Sequence, residues 1–163
     1  MILSAFLVEA KKRIYASERE YNVNADLSKE STIQFDDFIY KDHYYGFNPF
    51  AGQEMVYNAG EVPSFQQTPL WCMNYYGRIL PSSTILSIDI TDIYAFLREA
   101  LLLVSEEKPF RGPSWHERGE FQYVNETEGS LDLFTGLERI FHQRQEVYHL
   151  NYHGGIIRAK LIT

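Results

Sequence analysis

Between residues 121 and 152 the chain is divided into short aromatic and β-branched runs by glycines and polar turn residues. That spacing suits antiparallel strands and leaves no room for a helix of ordinary length. Four short strands are expected, over residues 121–125, 131–134, 137–142 and 146–152, forming a meander. Gly154-Gly155 should break the last strand, with residues 156–162 re-entering the sheet.

A register follows if residues 141–146 form a hairpin tip. Symmetric pairing sets Ile140 opposite Val147 and Glu138 opposite His149. Leu137, Phe141, Tyr148, Leu150 and Tyr152 then share the core face, and Glu138, His149, Asn151 and His153 share the other. Gln143-Arg144 is a weak turn signal. His149 and His153 would lie roughly 13 Å apart on a strand, too far to hold one ion. No metal site is expected.

Upstream, Leu3, Phe6, Leu7, Ala10 and Ile14 recur at helical spacing, which predicts a first helix over residues 3–16. Lys11, Lys12 and Arg13 near its end suit the helix dipole. Residues 17–31 read as a loop, and 33–45 as one strand or two with a bend. Asn48-Pro49 and Ala51-Gly52 mark a turn before a strand at 53–57; residues 58–69 are a further loop. Residues 70–80 alternate, Trp71, Met73 and Tyr75 pointing one way and Cys72, Asn74 and Tyr76 the other. Thr91 is the expected N-cap of a second helix with a stripe from Ile93 to Val104, widened by Leu102 and Leu103. Residues 105–119 hold two prolines and two glycines and read as irregular. The expected class is α+β: a twisted, meander-rich antiparallel sheet of six to eight strands, two main helices packed on one face, in a single domain over 1–163.

Fifteen Lys and Arg against 22 Asp and Glu give a formal net charge of −7. Direct nucleic-acid binding and attachment to an anionic membrane both need clustered cations, so neither is expected. The apolar start lacks a basic n-region and runs into Glu9, unlike a signal peptide. Cys72 is the only cysteine, which excludes an intrachain disulfide and CxxC chemistry. A cytoplasmic protein is expected. No GxGxxG, P-loop or GxSxG pattern occurs, so no cofactor is expected.

The aromatic share, 15%, is high enough to line a cleft. Trp71, Asn74, Tyr75, Tyr76 and Arg78 combine aromatic faces with polar tips, as small-molecule sites do and as wet cores do. Arg111, held between Pro109 and Pro113, could grip a carboxylate or pin its loop by an ion pair. Tyr152 and His153 complete the candidate ligand-binding set. Glu138 and His149 are the one carboxylate–imidazole pair the register supplies, an acid–base candidate that is more often an ordinary cross-strand contact.

Phe50-Ala51-Gly52-Gln53-Glu54 with Val56-Tyr57, Trp71-x-Met73-Asn74-Tyr75-Tyr76-Gly77-Arg78 and Leu97-Arg98-Glu99-Ala100-Leu101 form a recognisable set. With them go Arg111-Gly112-Pro113, Gly136-x-Glu138-x-Ile140, Val147-Tyr148 and Tyr152-x-Gly154-Gly155. The set resembles a bacterial family of unknown function whose members stand alone or follow a phage-repressor-type helix-turn-helix domain. The first helix leads straight into the family pattern, so no such domain is expected here. The resemblance implies a regulatory or sensory role and supplies no catalytic residues. The leading expectation is a non-catalytic small-molecule-sensing or interaction module. The alternatives are an enzyme using Glu138 and His149, and a homo-oligomer joined through the leucine-rich end of the second helix.

Overall fold

The computed structural model describes residues 1–16, 22–59 and 68–157. Its elements run α1 (Leu3–Ala16), β1 (Asn22–Val23), β2 (Lys29–Phe35), β3 (Phe38–Gly46), β4 (Phe50–Asn58) and β5 (Pro69–Ile79). Then come α2 (Ser82–Ile85), α3 (Ile90–Leu101), β6 (Trp115–Arg118), β7 (Phe121–Ser130), β8 (Leu133–His142) and β9 (Gln145–Ile156). The class is α+β. Among the described residues the strands form one antiparallel sheet of nine, ordered β1-β2-β3-β4-β5-β9-β8-β7-β6. The chain thus builds two meanders and joins them where the last strand inserts beside β5. Both edges are short, which limits the unpaired backbone exposed to other chains.

Alternation assigns the faces. On β5 Trp71, Met73 and Tyr75 are buried while Tyr76 and Arg78 are exposed. The pairing carries that inner face across Tyr40, Asp42 and Tyr44 on one side and Tyr152, Gly136 and Glu138 on the other. Helix α1 reaches it through Phe6, whose ring lies 4.6 Å from Phe35 and 4.9 Å from Phe38. Helix α3 reaches it through Phe96, 5.1 Å from Phe121. Phe6 and Phe96 are fully buried, so truncating either to alanine should cost about 3–5 kcal/mol.

The structure corrects the hairpin register. Gln143 and Arg144 both adopt positive φ, 50° and 67°, and close a tight turn with His142 opposite Gln145. One step on, the ladder slips: Phe141 pairs with Glu146, but Ile140 pairs with Tyr148, leaving Val147 as an extra residue. A bulge of one residue shifts β8 against β9, so the faces expected on β8, including those of Leu137 and Phe141, are exchanged while Tyr148, Leu150 and Tyr152 keep the core face. Glu138 therefore sits opposite Leu150, His149 sits opposite Arg139, and Glu138 enters the core with Tyr148 and Tyr152.

Other boundaries move for similar reasons. The expected break at Gly136 is absent, and residues 133–142 give one strand after a turn at Leu131-Asp132. Gly136 faces Tyr152, and a Cβ there would stand 2.0 Å from the tyrosine ring, so the glycine makes room rather than a turn. Residues 115–118 pair with β7 because α3 holds them. His116 Nε2 lies 2.7 Å and Arg118 Nε 3.1 Å from the Glu99 carboxylate, and the His116 ring stacks on Phe96. The N-cap of α3 is Asp89, not Thr91; its carboxylate accepts the Thr91 N–H at 2.8 Å. At the far end Leu101 and Val104 are buried and Leu103 is 48% exposed. The expected return of residues 156–162 to the sheet lies mostly outside the described residues; β9 ends at Ile156. Among the described residues no helix is long and apolar enough to cross a membrane.

Candidate functional site

Three charges that an apolar face would not be expected to contain sit on the inner face of the sheet. Asp42 on β3 and Glu54 on β4 are directly opposite each other, and Glu138 lies further along on β8. Each is answered by a group from outside the sheet or across it.

Lys11 comes down from α1 onto Glu54. Both are buried, the ammonium contacts the carboxylate directly, and Nζ also donates to the Phe110 carbonyl at 2.6 Å. The Tyr40 and Trp71 rings each lie 5.9 Å from that ammonium. Burial pulls the lysine below its ordinary range, and Glu54 works in the opposite direction. Lys11 is therefore a core residue, not a cation serving the helix dipole.

Arg111 comes from the loop before β6 onto Glu138. Its Nε donates to Oε2 at 3.1 Å and its Nη2 to Oε1 at 2.9 Å. Glu138 also accepts the hydroxyls of Tyr123 at 2.6 Å and Tyr148 at 3.0 Å. A carboxylate with four donors is a satisfied buried anion and has no free lone pair to act as a base.

Asp42 is different. Tyr75 donates to its Oδ1 at 2.7 Å. The phenol reaches across β4 because Gly52 stands between: a Cβ there would lie 2.4 Å from the Tyr75 hydroxyl. Residues 51–52 are thus mid-strand, where the sequence suggested a turn. Burial first, and the Glu54 carboxylate second, push the Asp42 carboxyl up to about 6, against the Tyr75 hydrogen bond and the cations Lys11 and Arg111. Its remaining exposure is to a cavity.

That cavity, about 580 Å³, lies between α1, α3 and the β2–β5 part of the inner face, with Arg111 also in its lining. Its walls are largely aromatic. Tyr94 of α3 sits 5.2 Å from Phe47 and 6.3 Å from Phe50, and Phe50 lies 6.1 Å from Tyr75. Tyr94 donates to the Phe47 carbonyl at 2.5 Å, tying the helix to the β3–β4 turn. Thr91 and Ala95 line the cavity and are exposed, which marks its mouth. Tyr15 lines it from α1. Its hydroxyl is buried with no hydrogen-bond partner among the described residues, an arrangement that ordinarily costs about 1–3 kcal/mol.

The sequence-derived ligand set is divided by this geometry. Tyr75 and Arg111 line the cavity. Trp71 and Tyr152 are buried elsewhere: Trp71 stacks on Phe134 at 5.6 Å, and Tyr152 donates to Asn125 at 2.8 Å. Asn74, Tyr76, Arg78 and His153 lie on the opposite face of the sheet, where Gln53, Asn74 and His153 form a small polar chain. The Glu138–His149 pair does not form, because the bulge turns the glutamate inward; His149 meets Glu146 at 3.1 Å instead. Sequence reasoning missed Asp42, Tyr15, Tyr94 and Arg98. The available signal was a charge at an inward position: Asp42 between Tyr40 and Tyr44, and Lys11 between Leu7 and Ile14. Among the described residues no three His, Cys, Asp or Glu side chains are grouped to hold a metal ion.

The chain matches the family model "Domain of unknown function (DUF5680)" over residues 42–157, and it belongs to that family. No curated protein and no solved structure matches it. The family match begins at Asp42 and so takes in most of the cavity, while α1 and β2 lie before it.

Proposed function

For this member of the DUF5680 family, we propose a small-molecule-binding module of regulatory use, with the α1–α3 cavity as its ligand site. The observation that carries the reading is the cavity itself. Its volume falls in the range of small-molecule sites, roughly 300–1,000 Å³, and its aromatic walls surround a few converging polar groups. The buried ion pairs beneath it hold those groups in fixed positions, as a preformed site requires.

One observation favours a second reading. A carboxyl held near pH 6 in a cleft, as Asp42 is, has the proton affinity of a general acid or base. An enzyme reading therefore moves from Glu138 and His149 to Asp42 and Tyr75.

The test is a thermal-shift screen of a broad metabolite panel against the full chain and Ala95→Trp, which fills the mouth. A ligand at about 100 times its Kd adds about 2.7 kcal/mol. The reading expects stabilisation of the wild type that Ala95→Trp abolishes. Equal stabilisation of both proteins, or of neither across the panel, would contradict it. Turnover of a panel compound, lost in Asp42→Asn, would replace binding by catalysis.

A further inference from the structure

We infer that the cavity takes an organic monocarboxylate with a bulky apolar body, its carboxylate held by Arg111 and the Tyr15 hydroxyl. The inference rests on the ligand-binding reading above and names the ligand class.

Among the described residues, the lining carries Arg98 and Arg111, with Lys29 at its edge, against one carboxylate, Asp42, while Glu138 beneath offsets Arg111. That balance draws in an anion. Arg111 commits Nε and one Nη2 proton to Glu138 and makes no other hydrogen bond among the described residues. A guanidinium has five donors, so three remain, in a planar fork suited to a carboxylate. Tyr15 supplies a further donor in the same lining. The tyrosine is 6% exposed and its hydroxyl is buried without a partner among the described residues, so its side chain must shift to present that donor to an acceptor.

Charge also limits the ligand. Glu138 already offsets Arg111, so the inner end offers spare donors without net positive charge, and a phosphate dianion fits worse there than a monoanion. A carboxylate alone would leave most of about 580 Å³ unfilled, between Phe47, Phe50, Tyr94 and Leu97. The body of the ligand is therefore large and apolar. Arg98, half-buried on α3 and without an ion pair among the described residues, adds attraction along the wall.

Isothermal titration of naphthylacetate, naphthylacetamide and naphthylethylamine separates the charges on one apolar body. The acid should bind wild type at least about tenfold more tightly than the amide, with the amine weakest, and Ala95→Trp should block it. Tyr15→Phe should weaken the acid by about tenfold, leave the amide unchanged, and raise the melting temperature of the free protein, since an unpartnered hydroxyl is removed. Arg98→Gln should weaken the acid more at low salt than at high salt. Amide or amine binding as tightly as the acid, still blocked by Ala95→Trp, would overturn the carboxylate assignment and leave the binding reading standing. Failure of all three probes, while another compound occupies the same blocked cavity, would do likewise. Binding of the acid that Ala95→Trp does not affect would overturn both.

Discussion

Arg111 is gripped at two points by Glu138, with Nε 3.1 Å from one carboxylate oxygen and Nη2 2.9 Å from the other. Glu138 is fully buried, so its charge has no water to fall back on. Glu138→Ala leaves the guanidinium without its partner and should cost about 3–5 kcal/mol in urea unfolding. His149→Ala should change stability by less than about 1 kcal/mol, because its contact with Glu146 is part-exposed. Equal costs for the two substitutions would restore the symmetric register.

The Lys11–Glu54 pair gives a sharper contrast. Lys11→Met alone strands a carboxylate in the core and should cost about 3–5 kcal/mol. Lys11→Met with Glu54→Leu removes both charges and should recover most of that loss. A double-mutant cycle in guanidinium checks this. Additive losses would mean that the two side chains do not act as a pair.

Gly52 tests how the cavity floor is built. A Cβ at that position would meet the Tyr75 hydroxyl at 2.4 Å and Tyr44 Cβ at 2.5 Å. Gly52→Ala should therefore cost about 1–3 kcal/mol and push Tyr75 away from Asp42. Thermal melting gives the cost. An unchanged melting temperature would contradict the observed crossing of Tyr75 over β4.

These residues also show what the sequence made legible. The alternation on β5, the stripe of α1 and the aromatic runs of the last third were enough to establish an α+β chain with an antiparallel sheet. Two kinds of feature were hidden. Gly52 and Gly136 carried turn chemistry by residue type, yet each serves to admit a tyrosine ring from the neighbouring strand, a tertiary fact with no local signature. The Val147 bulge leaves the tip pairing intact but shifts β8 by one residue against β9, so Glu138 points inward while Tyr148, Leu150 and Tyr152 keep the core face expected of them. Among the described residues the cavity draws on α1, α3, four strands and two loops, and no short motif spans that distance.

Asp42 sets the expected pH dependence. In the folded chain its carboxyl is raised from 3.8 to about 6. Between those values the folded state holds a proton that the unfolded state has released. The contribution of Asp42 to stability should therefore be largest below about pH 4, fall as pH rises to about 6, and stay lowered above it. The difference between wild type and Asp42→Asn, measured by melting across that window, should change by at most about 3 kcal/mol. A difference that is flat with pH would mean that Asp42 ionises like a solvated aspartate.

The most direct measurement is amide chemical-shift mapping on the full chain, titrated with the strongest stabilising compound from the panel. The largest shifts should fall on Gly46, Phe50, Tyr94, Leu97 and Leu101, around the cavity wall. Shifts gathered instead on Asn74, Tyr76, Arg78 and His153 would move the site to the opposite face of the sheet and contradict the account.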